Sequence, residues 1–293
     1  QDIELDIIVS KVGKKAKYNQ IELDKLSEYL GLLNVVMFAP EDLELVKGNP
    51  KIRRKFLDVE IGQTSKEYLY NLQNYKKVLK QRNDLLKTMQ KTKKIDYLLL
   101  DVITEQLITY QDIIVKQRAI FLKKIEHLSK KHYQKLSSSL DDLKIEYLPS
   151  ISSNYKEEYS SKYQYDIITG LTNLGNHRDE IEFYLNTFPL KSRGSQGEQR
   201  TAVLAIKLAL IDFIKENKGE YPVLLLDDVL SELDKSRQNN LLEYIDDNIQ
   251  TFITSTEISE IDLSKISNYK LYTIVDGHIE ESDSNGKQQL WFK

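Results

Sequence analysis

The short apolar run Tyr221 to Val229 carries two neighbouring carboxylates, Asp227 and Asp228. A run without alternation suits a strand buried on both faces of a mostly parallel sheet. Open α/β folds gather their ligands at the C-terminal edge of such strands. Carboxylate oxygens at that edge are hard ligands for a Mg²⁺ bound to nucleotide phosphates. Because adjacent residues point to different sides, Asp227 is assigned to the metal, through water, and Asp228 to the water that attacks. A plain strand ending in solvated acids that cap the next helix would carry the same letters.

Upstream, Ser195-Gln-Gly197 precedes apolar residues at Val203, Leu204, Ile206, Leu208, Leu210, Ile211 and Ile214, a spacing close to that of a helix. Small residues at a helix N-terminus leave N–H groups facing outward, and the macrodipole there favours an anion such as a γ-phosphate. Ser195 adds a hydroxyl donor. Ser195 followed by Glu198 also fits an ordinary capping box, and the two readings are compatible.

The elements that must position these groups follow from patterning. Residues 1–20 read as a hairpin and 23–31 as a short helix closed by Gly31. Val35 to Phe38 reads as a buried strand, and Asn49-Pro50 as the cap and first position of another helix. Between 64 and 140 the chain turns to long polar helices. One stripe runs through Leu69, Leu72, Tyr75, Leu79, Leu86 and Met89. Another, with heptad-like spacing, runs through Leu100, Ile103, Leu107, Tyr110, Ile114, Phe121 and Leu128. With a connection at Thr92 to Lys94, these predict an antiparallel helical arm. Residues 143–149 alternate like a strand, and the polar stretch 150–165 is the arm's return path. Final strands are expected at Thr251–Thr254 and Leu271–Val275, with a polar, mobile tail after Glu280.

The 293 residues are enough for a full core or two domains. With no cysteine and four histidines, disulfides and cysteine-based zinc sites are excluded, so metal chemistry here is carboxylate chemistry. No apolar stretch approaches the roughly 20 residues of a membrane span, no signal peptide leads the chain, and the cytoplasm is the expected location. The net charge of −3 gives no global attraction to nucleic acid, so a DNA site must be a local patch or form in a dimer.

The order Ser195-Gln-Gly-Glu-Gln-Arg-Thr201, a long helix, Gly219 to Asp234, then the strand Gln250 to Thr256 resembles the RecF family of bacterial recombination-mediator ATPases. Asn34 to Leu43, Val46 to Pro50, Arg53 to Asp58 and His177-Arg-Asp-Glu180 add to the likeness, which runs from about residue 1 to residue 280. It implies an α/β ABC-type ATPase head, a mixed sheet with flanking helices, interrupted by an inserted antiparallel helical arm. The implied boundaries are head 1–60, arm 61–165 and head 166–293.

The resemblance also implies roles. Ser195, Gly197 and Gln199 belong to the signature loop that completes the nucleotide pocket of the opposite subunit. Asp227 and Asp228 are the Walker B pair, Asp234 ends the D-loop that starts at Ser231, and Ser255-Thr256 fall where a polar switch residue senses the γ-phosphate. Pro40, Glu41 and Asp42 lie near the Q-loop. ATP and Mg²⁺ are the implied cofactors, and the implied partners are single-stranded or gapped DNA, an ATP-dependent homodimer and a RecR-type mediator, with no membrane.

Two departures stand out. Asn176 replaces the proline that precedes the family's His-Arg-Asp, which relaxes that turn. No G-x-x-x-x-G-K-[ST] run exists in the sequence. Val12-Gly-Lys-Lys15 has only a Gly-Lys and reads as a hairpin turn. The chain opens inside an alternating strand without Met, so the expectation is a fragment without its P-loop segment that binds ATP weakly or not at all.

Basic residues gather at Arg53-Arg-Lys55, Lys76-Lys77, Lys80, Arg82, Lys91, Lys93-Lys94, Lys123-Lys124 and Lys130-Lys131. Singly, such lysines read as solvated helix faces. Arg53 and Arg54 are the candidates for DNA backbone contact, with head-to-arm salt bridges as the alternative. His177-Arg178-Asp179 reads as a packed, hydrogen-bonded turn before it reads as a functional group. Three function classes compete: a RecF-like ATPase acting in DNA repair, recombinase loading and SOS induction; a transporter's nucleotide-binding subunit, disfavoured by the arm; and a non-catalytic DNA- or partner-interaction module.

Overall fold

The computed structural model describes residues 3–285 except 12, 152, 153, 246, 247, 257–261 and 267. The chain starts with an antiparallel hairpin, β1 (Leu5–Ser10) and β2 (Gly13–Tyr18), closed at the Ser10–Gly13 pair and extended by β3 (Ile21–Glu22). Gly13 and Lys15 thus lie in a strand of this hairpin, not in a phosphate cradle. A short helix α1 (Leu26–Tyr29) leads through Gly31, at φ +82°, to β4 (Val35–Phe38) and then α2 (Glu44–Lys47). Asn49 caps α3 (Pro50–Thr64) by accepting from the Lys51 N–H at 3.0 Å, with Pro50 in the first turn, where its missing N–H is not needed.

The arm consists of α4 (Lys66–Thr92), α5 (Tyr97–Ser137) and the return helix α6 (Tyr155–Thr169). Bonds Gln117–Glu67, Arg118–Tyr68 and Arg82–Thr104 run in opposite order along α4 and α5, so the two are antiparallel. Both start on side-chain caps, Ser65 to the Tyr68 N–H and Asp96 to the Leu99 N–H. Leu100, Leu107, Ile114, Phe121 and Leu128 of α5 are buried at seven-residue intervals, as the stripe requires. The companion seam carries Thr104, Gln111 and Arg118, also buried, followed by Ile125 and His132. The polar stretch after 150 is helical because Tyr159, Tyr163, Asp166 and Ile167 fall on one inward face.

The C-terminal half of α5 belongs as much to the head as to the arm. It lies along α8 (Gln196–Lys218), with Phe121 edge-on to Phe213 at 5.0 Å and Lys124 paired with Glu216 at 2.7 Å. β5 (Leu143–Leu148), between α5 and α6 in the chain, forms an antiparallel sheet with β6 (Glu180–Leu185) and β7 (Phe188–Pro189), and α7 (Leu190–Arg193) follows. A second sheet is parallel, in the order β4, β8 (Val223–Asp227), β9 (Thr251–Thr254), with α9 (Lys235–Tyr244) between the last two strands in sequence. The last pair is the hairpin β10 (Tyr269–Val275) and β11 (His278–Asn285). The backbone after Glu280 therefore continues as a strand to Asn285, because it has β10 to pair with, and the rest of the expected tail lies outside the described residues.

Candidate functional site

Strand β8 has parallel neighbours on both sides. Leu224 and Leu226 are buried against the head core, while Val223 and Leu225 are only half-buried, so one face is fully covered and not two. The register pairs Asp227 with Thr254 of β9. The Thr254 hydroxyl donates to Asp227 Oδ1 at 2.7 Å and accepts from the Asp228 N–H at 3.1 Å. One side chain thus touches both acids.

Asp228 has φ +50°, a left-handed conformation that Asp tolerates better than most residues. It is pinned there by Thr254 on one side and by the Ser231 hydroxyl, which donates to its carbonyl at 2.8 Å. Its Oδ1 is buried and has no hydrogen-bond partner. Asp227 is exposed at the sheet edge, its carboxylate only partly used by Thr254. Among the described residues no cluster of three or more acidic, His or Cys ligands exists. Two carboxylates suit a Mg²⁺ that keeps its waters and draws other ligands from phosphates, and do not suit an all-protein cage. The donors present fit that role.

At the start of α8, Ser195 forms a reciprocal capping box. Its hydroxyl accepts from the Glu198 N–H at 3.2 Å, and Glu198 Oε2 accepts from the Ser195 N–H at 2.7 Å. The hydroxyl proton stays available to an anion. A methyl group added at Gly197 would meet only Arg237 Nη1, at 3.8 Å, outside its own helix, so the glycine is not dictated by packing within this chain. Gln199 is buried and donates to the Leu190 carbonyl at 2.7 Å, which makes it a brace between α7 and α8 in this protomer.

Asp234 caps α9, accepting from the Arg237 N–H at 3.0 Å and pairing with the Arg237 guanidinium. These contacts, the backbone N–H first, hold its carboxyl below the usual range. The signature turn and the 231–234 segment are tied within one protomer, since Arg200 bonds both the carbonyl of Glu232 and its carboxylate at 3.2 Å. Thr256 is exposed beyond the end of β9. The residue that reaches the acids is Thr254, which the sequence motifs alone do not single out. Asp42 pairs with Lys207 of α8 at 2.8 Å, and that lysine also donates to the Met37 carbonyl.

Arg53 takes the salt-bridge role. Buried to 3% exposure, it pairs with Glu180 at 2.7 Å and donates to the carbonyls of Leu45 and Gly48, so most of its donors are spent inside the chain. Arg54 is half-exposed, with one bond to the Asp179 carbonyl. Arg178, unassigned from sequence, is exposed beside it, and its charge helps to lower the Arg54 pKa, with burial the main cause.

Behind these arginines the His177-Arg-Asp179 turn is knotted to the arm. Buried Asp179 accepts from Arg118 at 2.9 Å, from the Tyr147 hydroxyl at 2.6 Å and from the Ser150 N–H at 2.9 Å. Arg118 also reaches Asp58, Tyr68 and the carbonyl of Asn176.

A mixed α/β head with paired acids at a parallel sheet edge, a capped helix opening on a glycine free of packing partners and an inserted helical arm defines an ABC-type ATPase head. No family model matches the chain. It is 46% identical over 290 residues to the DNA replication and repair protein RecF of Shouchella clausii, covering 95% of this chain and 78% of that protein. RecF of Bacillus velezensis is 45% identical over 287 residues, covering 94% and 78%. A solved structure of the recombination mediator protein RecF with ATP, in the RecFOR pathway, superposes with a TM-score of 0.85 at 32% identity, over 95% of this chain and 76% of that one. The chain belongs to the RecF family.

Proposed function

We propose that the chain acts in DNA replication and repair, binding single-stranded or gapped DNA as a nucleotide-dependent dimer and assisting recombinase loading and SOS induction with a RecR-type mediator. The observation that carries the nucleotide reading is the Thr254 hydroxyl bonded to both Asp227 and Asp228 at the C-terminal edge of the parallel sheet. Bound MgATP would supply the phosphoryl group and the metal that neutralises its charge. Asp227 is the residue to hold that metal. Asp228 orients the attacking water. Ser195 and Gly197 offer donors to a nucleotide on the facing protomer, and Asp234 and Thr256 belong to the same interface.

The test is single-turnover hydrolysis by the protein at the length of its RecF relatives. Asp228→Asn should keep ATP affinity and slow hydrolysis by about 10²-fold or more. Thr254→Val should slow it by about tenfold, with Thr254→Ser recovering most of the rate. Full turnover in Asp228→Asn would remove the assignment.

A second reading, a non-catalytic interaction module, is favoured by the lack of any G-x-x-x-x-G-K-[ST] run in the 293 residues. Nucleotide titration of this chain separates the two, since tight ATP binding would eliminate the module reading. For location, no helix among the described residues is long and apolar enough to cross a membrane.

A further inference from the structure

At the far end of the arm, α4 stops at Thr92 with Lys93 in the left-handed region, and every residue from 91 to 99 is exposed. Ile95, Tyr97, Leu98 and Val102 lie on this end, Leu98 with 77% of its surface in solvent. The C-terminal half of α6 lies alongside. Gln164 donates to the Tyr97 hydroxyl, and Ile168, one turn further on the same stripe, is 69% exposed while its carbonyl accepts from Gln90. The inward faces of the three helices are already filled by Met89, Leu100 and Tyr163, so these outward side chains are not required by the arm's own core. Exposed aliphatic side chains gathered at one end of three neighbouring helices point to an interaction site.

Its charge leans positive. Of the acids nearest the tip, Glu105 is paired with Lys156, while Asp96 caps α5 and Asp101 accepts from the Tyr163 hydroxyl. Lys91, Lys93 and Lys94 are exposed and have no carboxylate partner among the described residues. Nucleic acid would use such lysines and could stack on Tyr97, but it gains little from Ile95, Leu98, Val102 and Ile168, the aliphatic majority of these exposed side chains, which a protein partner would bury.

We propose that the arm tip is a docking site for an acidic, amphipathic segment of a partner protein, its apolar side chains seated against Leu98 and Ile168 and its carboxylates against the three lysines. This surface does not depend on the nucleotide site. The probes are two short fluorescein-labelled helical peptides with one shared leucine face, one with a glutamate polar face and one with lysine, titrated into the chain by anisotropy. The acidic peptide should bind at least about tenfold more tightly than the basic one, with a salt-dependent affinity. Leu98→Glu or Ile168→Glu should weaken it by about tenfold or more. Lys93→Glu with Lys94→Glu should weaken it and flatten the salt dependence. Circular dichroism melting should be unchanged in each variant, and Leu98→Ser serves should a charge there disturb the fold. No binding, equal binding of both peptides, or indifference to Leu98→Glu would overturn the proposal. So would Leu98-dependent self-association without peptide, which would give the surface to a second copy, or displacement of the peptide by DNA, which would give it to nucleic acid.

Discussion

His177 is clamped through both ring nitrogens, Nδ1 on the Tyr75 hydroxyl at 2.8 Å and Nε2 on the Thr172 carbonyl at 3.0 Å. Burial, and secondarily the nearby Arg178 and Arg54 charges, push its pKa down to about 4. The unfolded imidazole titrates near 6.5, so the unfolded chain binds the extra proton first. The contribution of neutral His177 is fully present above about pH 6.5 and is lost as pH falls toward about 4, up to about 3 kcal/mol. Denaturant midpoints measured across that window should drop in the wild type and drop less in His177→Gln. The sequence marked this turn as structural from its residue types. It could not show Thr254, because only the parallel register of β9 against β8 brings that hydroxyl to Asp227. Nor could it show that Gln199 faces inward, since one helical turn carries both the half-exposed Gly197 and the buried Gln199.

Among the elements, the arm shows how a legible stripe conceals an illegible one. The seven-residue apolar repeat of α5 was readable, and the connection at Thr92 to Lys94 falls where α4 ends. The polar seam was not readable, because Thr104, Gln111 and Arg118 look like surface residues until their partners on α4, α6 and the 172–179 turn are known. At its centre Arg82 and Asp166, both fully buried, pair at 2.8 Å, and Arg82 also bonds Thr104 and Thr172 and lies 5.3 Å from the Tyr159 ring centroid. A buried pair adds little net stability, but removing one partner strands the other. Asp166→Ala should cost about 3–5 kcal/mol in chemical denaturation. The double replacement Arg82→Met with Asp166→Leu should cost less than either single change, and additive losses would count against the pair.

At the level of the whole molecule, the head and arm meet at an electrostatic junction around Asp179 whose inner and outer layers differ in role. Arg53 and Arg118 form the inner layer, spent on Glu180, Asp58 and Asp179. Arg54 and Arg178 form the outer layer and are the groups left to meet phosphates. Charge reversal at Arg54 and Arg178 should weaken DNA binding and reduce the salt slope by about one unit for each phosphate that is no longer neutralised, with melting little changed. Charge reversal at Arg53 should instead lower stability, because Glu180 would face a like charge at close range. Equal effects of all three on the salt slope would contradict this layering.

The Arg82–Asp166 pair also has a mechanical meaning. Sliding α4 by one turn, about 5.4 Å, would pull a guanidinium off three partners on separate segments at once. The three helices of the arm are therefore pinned against sliding at this one level. Because α5 continues unbroken from the exposed tip to the stretch lying on α8, a single helix spans the whole distance from Leu98 to the head.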